Sequence, residues 1–256
     1  MIHPTAIVDA DARLADDVEV GAYAVIGAEV SVGAGSRIGP HAVLRGPTRM
    51  GQGNRVFQFA SVGEDPQDLK YAGERTELVM GDRNTVRECA TIHRGTAGGG
   101  GTTRIGDDNL FMASTHVAHD CAVGDRTVFA NGASIAGHVE VGDHAILAGF
   151  AGVHQFCRIG EHAFVGMHSV TNRDVGPFTL AVGNYAEARG INKEGLRRRG
   201  FDEATVAALH RAYMALVRRH DPREEALAAV RALAADHPEV RRFVDFIEAS
   251  ERGIVR

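Results

Sequence analysis

The chain has 256 residues, enough for one or two domains, and 44% of them are apolar, as in a folded globular protein. Its formal net charge of −5 gives no basic surface of the kind that nucleic-acid-binding proteins use, so no nucleic-acid partner is expected. Because no apolar run reaches the ~18 residues of a membrane span and no signal peptide is recognisable, we expect a cytoplasmic protein whose three cysteines are reduced and mostly buried.

An apolar residue recurs at every sixth position through most of the first two thirds of the chain. The repeat runs from Val8 to Val62 and again from Ile105 to Val165, with 21 apolar residues in phase. A period of six fits neither an α-helix nor an ordinary strand, but it is typical of a hexapeptide β-solenoid. Three hexads would form one triangular coil of about 18 residues, with the repeated residues inside and the coils stacked about 4.8 Å apart.

Two interruptions of the repeat predict loops at residues 63–79 and 93–104. In the first, the repeat positions would be Asp68 and Glu74, and unpaired charges are too costly inside the prism. In the second, Ile92 and Ile105 are too far apart for two regular hexads, so one hexad is enlarged, and the glycine run at 98–101 predicts a flexible excursion. Loops that leave a rigid scaffold are the usual carriers of binding groups.

The C-terminal part of the chain has the composition of a helical region. The hexad repeat fades after Val165, and apolar residues then recur at helical spacing. Three helices are predicted, beginning at Asp202, Asp221-Pro222 and Pro238. We therefore predict an all-β solenoid over residues 1–190 and a small α-helical domain over 191–256, too small to be comfortably stable alone.

Residues one coil apart are expected to stack on each other. This rule puts His119, Gly137 and Gln155 in one column, and it brings Asp120 next to His138. A histidine beside a carboxylate can act as a general base, and a glycine N–H can stabilise an oxyanion. The alternatives are solvated surface residues or a metal site, although His116 and His119 are three apart, whereas the zinc-binding γ-class carbonic anhydrases have two histidines five apart.

Five segments of the chain resemble the family of acyl-carrier-protein–UDP-N-acetylglucosamine O-acyltransferases, which are hexapeptide-repeat enzymes. They are residues 67–74 (QDLKYAGE), 91–96 (TIHRGT), 116–121 (HVAHDC), 153–156 (VHQF) and 192–201 (NKEGLRRRGF). The resemblance covers essentially the whole chain and implies a left-handed parallel β-helix with a C-terminal helical domain. It also implies transfer of an (R)-3-hydroxyacyl chain from acyl carrier protein to the 3-hydroxyl of UDP-N-acetylglucosamine, the first step of lipid A biosynthesis, without cofactor or metal.

The resemblance also implies roles for individual residues. His119 would be the general base, Asp120 the residue that orients it, and Gly137 the N–H donor to the oxyanion. The implied substrate-binding residues are Asp68, Lys70, His116, His138, His154, Gln155, Asn192, Glu194, Arg198 and Arg199. The last four would contact the nucleotide and diphosphate. Family members are homotrimers with active sites in clefts between prisms, and the sequence is compatible with this.

Met167 occupies a position where relatives that use long acyl chains carry glycine. At about 18 residues per coil it follows His119 by about 2.7 coils, or roughly 13 Å along the prism at the strand spacing. Because a Met side chain there would fill the space of a longer tail, we expect an acyl chain of about ten to twelve carbons.

Two other functions compete with this interpretation. The sister UDP-glucosamine N-acyltransferase of the same pathway shares the hexads and a catalytic histidine. It lacks the segment found here at residues 67–74 and usually carries an extra N-terminal domain, whereas here the hexads begin at once. The second alternative is a non-enzymatic trimeric solenoid scaffold, which would retain its function without His119.

Overall fold

The hexad repeat folds into short strands that wind around a triangular prism. The computed structural model describes residues 1–219 and 223–256. Nineteen of the 21 repeated residues are buried inside the prism, while Val8 and Leu14, at its N-terminal end, are half-buried. Because these side chains all point inward, they form one continuous apolar core, which supplies most of the driving force for folding.

The prism has three faces, each made of stacked short strands. In chain order the strands are β1 (Ile7–Val8), β2 (Arg13–Leu14), β3 (Glu19–Val20), β4 (Val25–Ile26), β5 (Val30–Val32), β6 (Arg37–Ile38), β7 (Val43–Leu44), β8 (Thr48–Met50), β9 (Arg55–Val56), β10 (Ser61–Glu64), β11 (Glu77–Met80), β12 (Thr85–Val86), β13 (Thr91–His93), β14 (Thr102–Ile105), β15 (Leu110–Phe111), β16 (His116–Val117), β17 (Ala122–Val123), β18 (Val128–Phe129), β19 (Ser134–Ile135), β20 (Glu140–Val141), β21 (Ile146–Leu147), β22 (Gly152–Val153), β23 (Arg158–Ile159), β24 (Phe164–Val165), β25 (Val170–Thr171), β26 (Thr179–Gly183) and β27 (Ala186–Ile191). Face 1 is the sheet β1-β4-β7-β10-β13-β16-β19-β22-β25, face 2 is β2-β5-β8-β11-β14-β17-β20-β23, and face 3 is β3-β6-β9-β12-β15-β18-β21-β24-β26-β27. The strands pair in parallel, apart from the antiparallel hairpin β26–β27 that ends the solenoid.

The coils keep a constant length except where a loop interrupts them and at the C-terminal end, where Phe164 pairs with Leu180 and the coil is shorter. His116 pairs with Ser134, and Ser134 pairs with Gly152, so the regular coil is the one that the hexad period predicts. By contrast, Ser61 pairs with Thr91 and Thr91 pairs with His116, so both of these coils are longer. The extra residues of both coils leave the prism at the same corner, between face 1 and face 2.

The two loops are shorter than the sequence predicts, because the flanking strands extend into the predicted segments. The first loop, residues 65–76, connects β10 to β11, and the second loop, residues 94–101, connects β13 to β14. The second loop contains a 3₁₀ turn, Ala97–Gly99, capped by Thr96. The first two glycines of the run belong to this turn, and Gly100 ends it with a φ of 90°, a conformation that favours glycine.

We name the corners of the prism by the faces that they join. Corner 1–2 carries both loops and, on the following coils, residues 118–121 and 136–139. Corner 2–3 includes His144 and His162, and corner 3–1 includes Met167. Corner 2–3 is reinforced by a ladder of buried side chains, in which Asn109 Oδ1 accepts hydrogen bonds from the backbone N–H and the hydroxyl of Thr127, at 2.8 Å and 2.7 Å.

Within the described ranges, four α-helices and a π-helical turn follow the solenoid. They are α1 (Lys193–Arg198), α2 (Glu203–Tyr213), the π-helical turn Met214–Arg218, α3 (Arg223–Ala234) and α4 (Pro238–Glu248). The starts of α2, capped by Asp202, and of α4, with Pro238 in its first turn, agree with the sequence prediction, whereas the predicted start at Asp221-Pro222 lies outside the described residues. Helix α1 was not predicted, because so short a helix cannot show an apolar period. None of these helices, within the described ranges, is long and apolar enough to cross a lipid bilayer.

The helices are fastened to the end of the prism by hydrogen bonds as well as by apolar packing. The buried Tyr213 hydroxyl donates to the carbonyl oxygen of Ala188 at 2.9 Å. Near the C-terminus, Asp174 N–H donates to Gly253 O at 3.0 Å, and Val255 N–H donates to Asp174 O at 2.9 Å. This packing supplies the support that so small a helical region needs.

The three cysteines are free thiols. Cys121 and Cys157 are buried, as predicted for most of them, whereas Cys89 is exposed. Burial raises the pKa of Cys121 to about 12 and that of Cys157 to about 11, so both stay protonated and unreactive near neutral pH.

Candidate active site

His119 and Asp120 form a hydrogen-bonded pair at corner 1–2, where the chain turns from β16 to β17. His119 Nδ1 lies 2.7 Å from Asp120 Oδ2. The Asp120 side chain is fully buried, whereas 14% of the His119 side chain is exposed. An ionised carboxylate can only accept a hydrogen bond, so Nδ1 carries the proton and Nε2 is left as the basic nitrogen. This geometry is that of a general base whose tautomer is held by a carboxylate.

Gly137 lies one coil beyond His119, as the hexad period predicts. The backbone N–H of His138 donates to His119 O at 3.1 Å, which fixes the stacking of the two turns. A Cβ atom at position 137 would lie 2.6 Å from His119 Cε1, so only glycine leaves room for the imidazole. Within the described ranges the Gly137 N–H has no hydrogen-bond acceptor, and it is therefore available to an oxyanion.

Three further histidines surround His119. The His138 ring lies edge-to-face to that of His119 with centroids 5.2 Å apart. His116 Nδ1 lies 2.7 Å from Thr91 Oγ1, and His93 packs edge-to-face on His116 at 4.9 Å. Burial lowers the pKa of all three, that of His93 to about 4. They are consequently neutral near neutral pH and act as hydrogen-bonding and packing groups.

His119, Asp120 and His138 also meet a geometric condition for a metal site. One possible ligand atom of each lies within 4.8 Å of the others. However, Asp120 Oδ1 accepts from Thr96 N–H at 2.8 Å, and Oδ2 accepts from Thr96 Oγ1 and from His119, both at 2.7 Å. Because the carboxylate is already occupied by these donors, the arrangement favours acid–base chemistry over cation binding.

The first loop is fastened to the prism at both ends. Near its start, the guanidinium of Arg94 is buried, pairs with Asp65 and donates to the Tyr71 hydroxyl at 3.2 Å. Near its end, Arg75 binds both carboxylate oxygens of Glu29, at 2.5 Å and 2.8 Å. No role was predicted for Arg94 or for its neighbour His93. In the sequence, only their place in the segment 91–96 pointed to them.

Asp68 and Lys70 lie at the tip of this loop. Asp68 Oδ1 accepts a hydrogen bond from the Lys70 N–H at 2.9 Å, which holds the tip in a turn. Asp68 lies close enough to His138 for its charge to affect the pKa of that histidine. Burial lowers the His138 pKa, and the negative charges of Asp120 and Asp68 partly oppose this effect. The Lys70 side chain and the intervening Leu69 are exposed to solvent. The loop thus brings one carboxylate to the site and leaves a cation and an apolar group at its rim.

His154 and Gln155 follow one coil beyond Gly137 at the same corner. Both are exposed, and His154 Nδ1 lies 3.1 Å from the carbonyl oxygen of Gln155. Corner 1–2 therefore brings together all predicted site residues that belong to the solenoid and the first loop, with the exception of Met167.

The residues predicted to bind the nucleotide lie elsewhere in the chain, around α1 and against corner 2–3: Asn192, Glu194, Arg198 and Arg199. Arg199 donates to His144 O at 2.8 Å, and Asn192 Nδ2 donates to His162 O at 3.1 Å while its Oδ1 caps α1. The Asn192 side chain therefore already has structural partners, whereas Arg199 uses only Nη2, and its Nη1 is buried without a hydrogen-bond partner in the described ranges. Arg198 is exposed and makes no ion pair with any residue in the described ranges.

Met167 lies at corner 3–1, which corrects its predicted placement. Its separation from His119 equals two coils and two thirds of a turn, so it lies at a different corner instead of farther along the same groove. The side chain is 67% exposed, and the following residue, His168, stacks on the exposed Phe150 of the preceding coil with ring centroids 5.1 Å apart. In one chain His119, the predicted nucleotide-binding residues and Met167 thus occupy three different corners.

Comparisons with known proteins agree with this architecture. Residues 174–255 match the family described as UDP-N-acetylglucosamine O-acyltransferase, domain 2, and residues 11–46 and 102–137 match the bacterial transferase hexapeptide repeat. The chain is 55% identical to the acyl-[acyl-carrier-protein]–UDP-N-acetylglucosamine O-acyltransferase of Stenotrophomonas maltophilia, over 100% of this chain and 97% of that relative. It is 54% identical to the Xanthomonas campestris protein of the same name, over 100% and 98%.

Solved structures are also similar to this chain over its full length. The UDP-N-acetylglucosamine O-acyltransferase of Moraxella catarrhalis superimposes with a TM-score of 0.97 at 46% identity, covering 100% of this chain and 99% of that one. The UDP-N-acetylglucosamine acyltransferase of Francisella novicida gives a TM-score of 0.96 at 39% identity, covering 100% and 94%. The similarity therefore spans both the solenoid and the helices.

Proposed function

Because the chain belongs to the UDP-N-acetylglucosamine O-acyltransferase family and has its left-handed parallel β-helix, we propose that it acylates UDP-N-acetylglucosamine from acyl carrier protein. The acyl group is an (R)-3-hydroxyacyl chain, the acceptor is the sugar 3-hydroxyl, and the reaction is the first step of lipid A biosynthesis. The observation that carries the proposal is the 2.7 Å hydrogen bond between His119 and Asp120 beside the N–H of Gly137.

The geometry supports a direct acyl transfer. His119 Nε2 removes the proton of the sugar 3-hydroxyl, and the oxygen forms a bond to the thioester carbonyl carbon. The negative charge that develops on the carbonyl oxygen is stabilised by the Gly137 N–H. The tetrahedral intermediate then collapses, the carbon–sulfur bond breaks, and His119 returns the proton to the departing thiolate. Asp120 keeps Nδ1 protonated throughout and stabilises the imidazolium.

The distribution of the site over three corners supports a homotrimer with shared active sites. Corner 1–2 carries His119, corner 2–3 supports the Arg198 segment, and corner 3–1 carries Met167. A prism is rigid, so these groups converge on one substrate only when neighbouring chains contribute different corners. We expect the trimer in solution by sedimentation analysis, and we expect mixtures of differently inactivated chains to regain activity.

The function is tested by offering purified protein a panel of 3-hydroxyacyl carrier proteins with UDP-N-acetylglucosamine. We expect an ester at the 3-hydroxyl, identified by mass spectrometry and by lability to mild base. Activity should persist after dialysis against a chelator, because no step uses a metal ion. An amide formed only with an amine-bearing acceptor would instead establish the sister N-acyltransferase, and loss of activity that returns with Zn²⁺ would establish a metal enzyme.

Replacing Arg198 with alanine is expected to weaken UDP-sugar binding. A guanidinium can form paired, charge-assisted hydrogen bonds with a diphosphate, so its loss should raise the dissociation constant about 10- to 100-fold in calorimetry. Binding of acyl carrier protein should change little. Arg197→Ala is the matched control, because Arg197 is the adjacent cation but is paired with Glu203 at 2.7 Å. Equal losses in both variants would show a general charge effect and remove Arg198 from the site.

A further inference from the structure

The second loop contacts the general-base pair directly, and this contact has no part in the mechanism above. We propose that Thr96 is a positioning residue for the reaction. Its hydroxyl and backbone N–H clamp the Asp120 carboxylate in the orientation that holds His119. The inference rests on the proposed acyl transfer, since it assigns Thr96 a role in the action of that base.

The clamp uses both oxygens of the carboxylate. Thr96 N–H donates to Asp120 Oδ1 at 2.8 Å, and Thr96 Oγ1 lies 2.7 Å from Oδ2, the same oxygen that accepts from His119. Thr96 Oγ1 itself accepts the N–H of Gly99 at 3.2 Å. Because one lone pair of the hydroxyl oxygen takes this donor, the hydroxyl proton is directed to Asp120. Thr96 is buried, so water does not compete for these bonds.

The glycines of the second loop make the clamp possible. A Cβ atom at position 99 would overlap the carboxylate of Asp120, and one at position 95 would overlap the backbone of Gly101 and Thr102. Only glycine at both positions lets the turn close over the carboxylate. On its other side, Thr103 Oγ1 accepts the backbone N–H of Asp120 at 2.8 Å. The enlarged hexad is therefore the element that buries Asp120 and fixes its plane.

The clamp also affects how strongly His119 holds a second proton. Two donors from Thr96 stabilise the negative charge of Asp120. When one donor is removed, this charge stabilises the protonated form of His119 more strongly, so the His119 pKa is expected to rise. The other titratable or charged groups around the pair are His93, Arg94, His116, His138, Asp68, Glu64 and Cys121, whose buried thiol stays protonated. The three histidines among them are neutral near neutral pH because burial lowers the pKa of each. Within the described ranges the Thr96 hydroxyl bonds only the Asp120 carboxylate and the Gly99 N–H, so it is expected to affect the pH dependence through Asp120.

The test compares Thr96→Val, which keeps the shape and the backbone N–H, with Thr96→Ser, which restores the hydroxyl. We expect Thr96→Val to lower kcat roughly tenfold, less than the 10²–10⁴ expected for loss of a general base, with KM for both substrates within about twofold. The acid limb of its kcat/KM profile should move to higher pH, and Thr96→Ser should recover both properties. Thr127→Val is the matched control, because it removes an equally buried hydroxyl at corner 2–3.

A readout without substrate separates this inference from the proposed function. In the resting protein, the NMR resonance of the His119 Nδ1 proton reports its hydrogen bond to Asp120, and it should move in Thr96→Val but not in Thr127→Val. An unmoved resonance, an unmoved acid limb or no recovery in Thr96→Ser would overturn the positioning role while the wild type still turns over. If the resonance moves in Thr96→Val but the wild-type protein forms no ester, the clamp is supported and the proposed function is rejected.

Discussion

Replacing His119 with alanine is expected to lower kcat by at least about 10² without unfolding the protein, because loss of a general base typically costs 10²–10⁴ in rate. At least about 2.7 kcal/mol of transition-state stabilisation would be lost, since each ~1.36 kcal/mol is tenfold. The side chain lies at the prism surface and not in its apolar core, so the coils should be unaffected. Turnover is measured with 3-hydroxyacyl carrier protein and UDP-N-acetylglucosamine at saturating concentrations. The oligomeric state is measured by sedimentation.

His41→Ala is the matched control for this experiment. His41 is an exposed histidine at corner 3–1, stacked between Tyr23 and Phe59, and within the described part of the chain it has no carboxylate partner. It should retain wild-type kcat. If His119→Ala turned over within a few-fold of wild type, His119 would not be the base. A rise in KM without a fall in kcat would make it a substrate-binding residue, and full function in cells without His119 would favour the scaffold.

Replacing Met167 with glycine is expected to lengthen the preferred acyl chain. The wild type should prefer 3-hydroxyacyl chains of ten to twelve carbons over fourteen, and Met167→Gly should raise the relative kcat/KM for fourteen carbons about 10- to 100-fold, the scale on which pockets discriminate methylene groups. Because Met167 is exposed, its side chain is accessible to an acyl chain bound between the subunits of the proposed trimer. The measurement is direct competition between ten- and fourteen-carbon carrier proteins.

Met167→Leu is the control, because it keeps nearly the same volume and should keep the preference. Met is flexible, so the side chain could swing aside and admit a longer chain, and the experiment decides this. A wild type that prefers fourteen carbons, or a glycine variant with unchanged preference, would show that Met167 does not set the length.

The solenoid could be predicted from sequence because its rule is local. Every sixth side chain must enter the prism, so Val20, Ile26 and Val32 show the period whatever lies around them. The same rule placed Gly137 over His119, since one regular coil returns the chain to the same corner. The break at Asp68 and Glu74 was equally readable, because unpaired charges do not enter an apolar interior.

The rule failed where a coil has an irregular length. The second loop lengthens its coil, so counting by the regular repeat could not bring Thr96 to Asp120. The glycines at positions 95 and 99 indicated only freedom of the backbone. Their packing against the turn and the Asp120 carboxylate depends on the path of the loop, which no period determines.

Sequence by itself determined the inward face, the length of the regular coil and the stacking of Gly137 on His119, because each follows from the period of a rigid repeat. Only the tertiary structure decided where groups outside the regular coils lie. Arg199 follows α1, beyond the last coil, and its place against corner 2–3 depends on packing and on its hydrogen bond to His144 O. The corner of Met167, by contrast, follows from the same count, because two coils and two thirds of a turn include a rotation around the prism axis. The burial that makes His93 neutral was also decided by the tertiary structure, since it arises from contacts between coils of unequal length.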